Sequence, residues 1–411
     1  MKGWAGAEAV RFCSCYRKWS IMIDEIKRAV EEEFPQTVQY RRYFHQHPEI
    51  SFQEEHTADY IRSQLQQADI PFVNCGQNGV VAKLSGRGEG PSIAFRADFD
   101  ALAIQEPAGL PFASEHPGTM HACGHDAHAA VLLSLARIFA KHREWLKGDV
   151  TFIFQYAEEI PPGGAGPMIE DGCLDGVDRI YGMHVSEELE TGEVGVYTGG
   201  YMAATDRFIM EFLGSGGHGS RPSETQDTIS AAATAVSQIN AIVSRFLSSL
   251  HPAIISVCNI HGGNSYNVIP LKVYLEGTVR TYEEETAQVI RGQLEKVAHA
   301  SAELYGTDVQ FTFERGYPVV HNTQRESEIV REAARRQGIP LGKLDPTPVG
   351  EDFARYLQKV PGAFFRVGIR NESIGAVYPL HNSHFALDEA ALSTALQVYL
   401  GIYLLETKQL S

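Results

Sequence analysis

A short apolar strand that ends on a carboxylate, then a helix, then another such strand, leaves a chain few ways to fold. SIAFRAD (92–98) ends on Asp98. Residues 127–142 carry Val131, Leu132, Leu135, Ile138 and Phe139 on one helical face. VTFIFQYAEE (150–159) ends on Glu158 and Glu159, and RIYGMHV (179–185) carries His184. Apolar runs this short suit strands buried on both faces, and helices between them make neighbouring strands parallel. The reading is an α/β fold, a mostly parallel sheet covered by helices. Helices are expected at 22–45 and 54–68 before this run. A helix at 326–337, the strand 363–369 and a last helix near 389–405 follow it.

The rhythm changes after about residue 200. Strand 206–214, helix 226–249, strands 253–260 and 273–282, helix 284–305 and strand 309–316 follow in turn. The helix at 226–249 carries a Val236, Ile239, Ile242, Val243, Phe246 stripe. The order β-α-β-β-α-β is that of a ferredoxin-like unit, here inserted into the larger fold. The 411 residues exceed one ordinary core, so two domains are expected: 22–199 with 317–411, and the insertion 200–316. Residues 1–21 show no clear helical or strand pattern and read as an N-terminal extension.

The formal charge of −16 disfavours nucleic-acid and anionic-membrane partners, and an anionic substrate would need local arginines. No run of about 20 apolar residues is present, so no membrane span is expected. The six cysteines follow no disulfide framework, and residues 1–20 lack the apolar core of a secretory signal. The cytoplasm is the expected compartment.

Residues 121–130 read HACGHDAHAA, a dense group of metal-capable side chains. Asp98, Glu158, Glu159 and His184 fall at or just past strand ends, the edge where open α/β sheets bind ligands. Cys123 and His125 lie in a loop entering a helix, and His384 lies in another, LHNSHFALDE. One edge thus gathers a thiol, imidazoles and carboxylates, a metal-ligand inventory. Adjacent carboxylates closing an apolar strand are costly when buried without a counter-charge, and a metal explains both: one glutamate ligates and its neighbour acts on water. The rival reading is a thiol hydrolase with Cys123 as nucleophile and His125 or His128 as its base. It leaves Glu158, Glu159 and His384 without a task.

RADFDAL (96–102), MHACGHDAH (120–128), AEE (157–159), GMH (182–184), GSGGHGSRP (214–222), NVIP (267–270), GTVRT (277–281), GEDF (350–353) and HNSHF (381–385) occur in order. Over residues 22–405 this series resembles the amidohydrolase branch of the co-catalytic metallopeptidase family, which includes N-acyl amino acid deacylases, hippurate hydrolase and the auxin-conjugate hydrolases. The resemblance implies a catalytic domain holding two divalent metal ions per subunit, and an inserted lid through which homodimers form. It implies Cys123, His125, Glu159, His184 and His384 as ligands, with Glu158 as general base. His218 would polarise the scissile carbonyl, Asn267 and Arg280 would meet the substrate's carboxylate, and Asp98 would stand behind the ligands. The implied reaction cleaves an N-acyl amino acid to a carboxylic acid and a free amino acid.

Two departures from the peptidase branches point to the amidohydrolase branch: Arg96-Ala97-Asp98 stands where they carry His-x-Asp, and Cys123 where they carry a bridging aspartate. Zinc or manganese is the expected metal, with cobalt or nickel as alternatives. The competing activities are a dipeptidase or carboxypeptidase on the same fold, or a metal-binding homologue without catalysis; binding alone would need neither Glu158 nor His218. His45, His47 and Pro48 read as packing at a helix end. His121 and His128 are either supports for the ligands or turn residues.

Overall fold

The computed structural model of the chain describes residues 4–88 and 90–409, with side chains from residue 21 onward. The chain forms two compact units. The first takes in the residues up to Gly199, Asn322–Asp345 and the residues from Arg355 onward; the second is Gly200–His321 with Pro346–Ala354. Helices are α1 (Trp4–Gln46), α2 (Glu55–Gln67), α3 (His125–Lys141), α4 (Thr228–Ile239), α5 (Glu284–Leu304), α6 (Gln324–Arg336) and α7 (Ala390–Glu406). Strands of the first unit are β1 (Phe72–Cys75), β2 (Gly79–Leu84), β3 (Ile93–Asp98), β4 (Val150–Gln155), β5 (Arg179–Glu190) and β6 (Val194–Gly195). Those of the second are β7 (Ala204–Leu213), β8 (Gly217–His218), β9 (Ala253–Gly262), β10 (Val268–Ile269), β11 (Lys272–Thr281) and β12 (Asp308–Glu314); β13 (Gly362–Arg370) returns to the first.

The seven-stranded sheet of the first unit runs β1-β2-β4-β3-β5-β13-β6. Its four central strands are parallel, and the flanking strands pair antiparallel. Every residue of β3 and β4 is buried, which is why neither shows the polar alternation of a half-exposed strand. The glutamate pair lies beyond β4, which stops at Gln155. β5 is longer than its sequence suggests, and His184 sits inside it. The β3–β5 register pairs Arg96 with Gly182, so His184 stands level with Asp98 at the end of β3.

Helix α3 is buried nearly all round, because it touches the sheet, α1 and α7. α1 buries Ile26, Val30, Glu33, Thr37, Tyr40, Arg41, Phe44 and His45, a three-to-four spacing that makes one face. Its helical backbone begins at Trp4, well ahead of the expected start at residue 22. The first twenty residues carry no apolar stripe, so periodicity could not find that stretch.

In the second unit the four-stranded antiparallel sheet runs β9-β11-β7-β12, the strand order of a ferredoxin-like unit. Phe208, Met210 and Phe212 alternate inward from β7 to meet Val273, Leu275 and Val279 of β11. Ala231, Ala232 and Ala235 of α4 and Ile290, Leu294 and Ala298 of α5 close this core. Asp227 caps α4 by accepting from Ser230 N at 3.0 Å. The helix expected over 226–249 breaks after Ile239, and Phe246 is exposed rather than part of a buried stripe. Pro346–Ala354 joins this unit through Ala203 N to Thr347 O (3.1 Å) and Thr347 N to Tyr201 O (2.9 Å).

α1 is fastened to the start of α3 by buried charge. Asp126 accepts from Arg41 Nε at 2.9 Å and from His45 Nδ1 at 2.8 Å, while His45 Nε2 meets Glu106 at 2.9 Å. Burial opposes the Asp126 carboxylate, yet Arg41 and His45 hold it far below the ordinary range. Burial likewise opposes a charged His45, but Asp126 and Glu106 raise it. A depressed carboxylate stabilises above its unfolded value and loses that contribution as pH falls; a raised histidine stabilises below its unfolded value and loses it as pH rises. The network should therefore contribute most between roughly pH 4 and pH 6.5. Below pH 3.8 the stability gap between wild type and Asp126→Asn should close by about 1.4 kcal/mol per pH unit, measured by denaturant unfolding. A gap independent of pH would contradict the assignment.

Candidate metal centre

Gly124 separates two of the expected ligands and explains how both reach one pocket. It adopts φ 86° at the N-cap of α3, and a Cβ there would lie 2.4 Å from Val185 Cγ2. Only glycine turns the chain here while β5 passes this close. Cys123 is thereby left just before the helix and His125 opens its first turn, with His184 arriving from β5. The three ligand atoms lie within 4.8 Å of one another, with Cys123 Sγ 3.4 Å from His184 Nε2. A second group of the same compactness joins His125 to Glu158 and Glu159, and a third joins Cys123, Glu159 and His381.

The rings are held by other groups at the nitrogen away from the pocket. His125 Nδ1 is 3.0 Å from Asp100 O and 3.1 Å from Asp100 Oδ1. His184 Nδ1 is 2.7 Å from Val185 O. Such contacts fix the tautomer and leave Nε2 to act as a ligand. His125 Nε2 is buried without a hydrogen-bond partner and faces Glu159 Oε1 at 3.8 Å, which His381 Nε2 approaches at 3.3 Å without a directed hydrogen bond. Orphaned acceptors converging on a thiol are what a divalent cation would satisfy, and thiolate, imidazole and carboxylate are donors that zinc and its neighbours accept.

The local field agrees. Burial disfavours a protonated His125, yet Asp98, Asp100 and Glu159 push it up to about 10. The pocket thus favours positive charge at that position. Burial, then Glu159 and Glu158, push the Cys123 thiol well above its ordinary value. Activated cysteine nucleophiles need the reverse, a thiolate stabilised by positive neighbours. Of the two histidines considered as its base, His128 has both nitrogens engaged, by Asp98 and by Val185 N, and His125 is held at Nδ1 by Asp100. The field around Cys123 is the reverse of what the thiol-hydrolase reading needs.

Asp98 is wholly buried; burial would raise it, but Arg96, His125 and His128 keep it well below the ordinary range. It accepts from Arg96 NH1 and meets His128 Nδ1, both at 2.6 Å. Since His128 Nε2 accepts from Val185 N at 3.1 Å, both its nitrogens are used and it supports the site without ligating. Asp100 was not singled out from the sequence. It gathers His125, Ser51 Oγ (2.6 Å) and Glu159 N (3.0 Å). The only signal was its place two residues after Asp98 in RADFDAL.

The last expected ligand lies elsewhere. His384 is exposed, its ring 5.2 Å from that of Tyr378. His381, three residues earlier in the same motif, stands 3.3 Å from Glu159 Oε1 and belongs to the group with Cys123. Its backbone takes φ 63°, and its N donates to Ala122 O at 2.8 Å, which ties its loop to the one carrying Cys123. No spacing rule distinguishes the two histidines; the backbone geometry does.

In the second unit His218 and Asn267 come together on one ribbon. Strand β8 pairs with β10, Val268 opposite His218, and Gly219 N donates to Asn267 O at 2.8 Å. His218 Nδ1 accepts from Ser220 N at 3.1 Å, so the neutral ring carries its proton on Nε2, as a donor. Both side chains are exposed. Arg280 is half-buried on β11, with NH1 donating to Val279 O at 3.1 Å and to Thr278 Oγ1.

Fold and ligand set together define a metallohydrolase of the α/β class. The chain belongs to peptidase family M20/M25/M40, whose signature matches residues 94–404. It is 42% identical over 374 residues to the N-acetylcysteine deacetylase of Bacillus subtilis, covering 90% of this chain and 97% of that protein. It is 40% identical over 324 residues to the N-acyl-L-amino acid amidohydrolase of Geobacillus stearothermophilus, covering 77% and 88%. The crystal structure of the YXEP protein of Bacillus subtilis, described as a dinuclear metal binding peptidase from the M20 family, superposes with a TM-score of 0.82 at 37% identity, covering 92% of this chain and 99% of that one.

The position of His381 carries a direct expectation. His381→Ala should lower the metal content of the purified protein, read by elemental analysis, and His384→Ala should leave it intact. The opposite pattern would return the ligand role to His384.

Proposed function

We propose that this protein is a metal-dependent amidohydrolase that cleaves N-acyl amino acids to a carboxylic acid and a free amino acid. The observation that carries the reading is the buried set of Cys123, His125 and His184 with two adjacent glutamates at its edge. The deacetylase and amidohydrolase relatives support the substrate class. Cys123, His125, Glu159, His184 and His381 would hold two divalent ions, His381 taking the place expected of His384. The thiolate suits zinc, while the imidazoles and carboxylates also suit manganese, cobalt or nickel. When bound, the ions would lower the pKa of water toward neutrality and polarise the amide carbonyl.

The chain's own groups do the rest. Glu158 is nearly buried beside Glu159; it accepts the proton of the attacking water and returns it to the leaving nitrogen. His218, a donor at Nε2, meets the charge that develops on the carbonyl oxygen. Asn267 and Arg280 receive the substrate's carboxylate, for which a guanidinium fork is suited. Asp98 and Asp100 hold imidazoles in place from behind.

The unpaired Cys75, Cys123, Cys173 and Cys258 suit a reducing compartment, and the cytoplasm is proposed on that basis. No described helix is long and apolar enough to cross a membrane.

A homodimer through the second unit is also proposed. β9 is an edge strand of its sheet, with Ile254 and Ile260 exposed along it. Pairing two such edges across a two-fold axis would cover them. In that arrangement His218 and Asn267 serve the partner's metals.

Glu158→Gln should abolish hydrolysis of a panel of N-acyl amino acids while keeping metal, because the amide is similar in shape and accepts no proton. Glu159→Gln should lose metal. If elemental analysis shows equal loss in both, the two glutamates do not divide the work in this way. A panel in which dipeptides outpace N-acyl amino acids would favour the peptidase alternative.

Glu158→Ala and His218→Ala proteins should each be nearly inactive. Verified heterodimers refolded from both should recover activity, because one site then has a wild-type Glu158 and a wild-type His218 from its neighbour. Heterodimers that stay inactive would place His218 in its own chain's site or outside the reaction.

A further inference from the structure

Glu54 is wholly buried at the N-cap position of α2, from which a short polar side chain would accept from the first turn. It does not cap it: no hydrogen bond runs from its side chain to the first turn. Its carboxylate reaches away from the helix. Oε1 accepts from Ala157 N at 2.8 Å, and Oε2 accepts from Asn78 Nδ2 at 3.1 Å.

Ala157 immediately precedes Glu158 and adopts φ 50°, a left-handed conformation that costs any residue with a side chain. Its carbonyl accepts from Gly164 N at 2.9 Å. On the other side of Glu158, Glu159 N donates to Asp100 Oδ2 at 3.0 Å. The N–H groups before and after Glu158 are thus each gripped by a separate buried carboxylate, one from the start of α2 and one from the loop after β3. Two fixed points spanning three residues determine the direction in which the middle side chain leaves the backbone.

We infer that Glu54 is a positioning residue for the reaction, holding the Ala157–Glu158 turn so that the Glu158 carboxylate points into the pocket. The inference rests on the proposed role of Glu158 as general base. Glu54 touches neither substrate nor the proposed ligands; it acts through the backbone of Ala157. A merely structural glutamate would set the stability of the turn. A positioning glutamate sets the rate of proton transfer at sites that still hold metal and substrate.

The test compares variants on the same N-acyl amino acid panel, with metal measured by elemental analysis. Glu54→Ala should lower kcat by about 100-fold, the usual effect of displacing a reacting group by an ångström, with KM changed less than about twofold and full metal content. Glu54→Gln should keep most of the activity, because its amide oxygen still accepts from Ala157 N and Asn78 can turn its amide to match. Should Glu54→Ala fail to fold, Glu54→Asp, one methylene too short to reach Ala157 N, should show the same fall in kcat. Ala157→Gly added to Glu54→Ala relieves the left-handed backbone and should raise the melting temperature without restoring kcat.

Wild-type kcat in Glu54→Ala, restoration of kcat by Ala157→Gly, or loss of metal in step with kcat would each overturn the inference. Glu158→Gln, run alongside, separates the two readings. Activity in that variant removes the general-base role itself, whereas its inactivity beside a fully active Glu54→Ala removes only the role of Glu54.

Discussion

Negative charge buried without water around it is the constraint from which this site is built. Asp98 and Asp100 are buried and held below the ordinary carboxylate range, while Glu54 is as deep and is raised by burial and by Asp100 to about 7. A carboxylate in such a place is tolerated only when donors meet it. Arg96, His128, His125, Ser51, Asn78 and the backbone N–H groups of Ala157 and Glu159 supply them. Each contact that satisfies a carboxylate also fixes something near the reaction: a ring, a strand end, or the turn bearing Glu158. The satisfaction of charge and the placement of the site are one arrangement. The orphaned His125 Nε2 and Glu159 Oε1 mark where it stays incomplete within the protein.

The thiol makes the same point from the other direction. Burial, and then the carboxylates around it, oppose the ionisation of Cys123. A nucleophilic cysteine would need the field reversed, while a metal ligand is deprotonated by the ion it binds. Composition alone leaves both roles open. The depth of the site and the identity of its neighbours decide between them, and both are set by residues distant in the chain.

Much of the fold was legible because burial leaves its mark on sequence. β3 and β4 read as strands since every residue is apolar or paired, and α3 since its stripe faces a sheet. Cys123, His125, His184 and the glutamate pair were legible as chemistry gathered at strand ends. The residues that were missed act through geometry that leaves no period. Asp100 and Glu54 are single acids whose partners come from 24 to 103 residues away along the chain. His381 and His384 are indistinguishable by composition and both are exposed, but the loop with its left-handed turn at His381 sets that ring beside Glu159. The early start of α1 was hidden for a related reason: a helix without an apolar face gives periodicity nothing to detect.

The ion pairs of the two units lie at different depths, and both units carry exposed ones. In the first, the Arg41–Asp126 and Arg96–Asp98 pairs lie out of reach of solvent, with 4% or less of each side chain exposed. In the second, Arg207 joins Glu276 and Glu314 across the outer face of the sheet, and Lys272 meets Glu211 there, with the cationic side chains about half exposed. Mobile ions screen exposed charges over a Debye length of about 8 Å at physiological ionic strength and barely reach buried ones. Rising ionic strength should therefore weaken the sheet face of the smaller unit while leaving the scaffold of the metal pocket as it was. The chain's response to salt is set region by region, according to how far each ion pair lies from water.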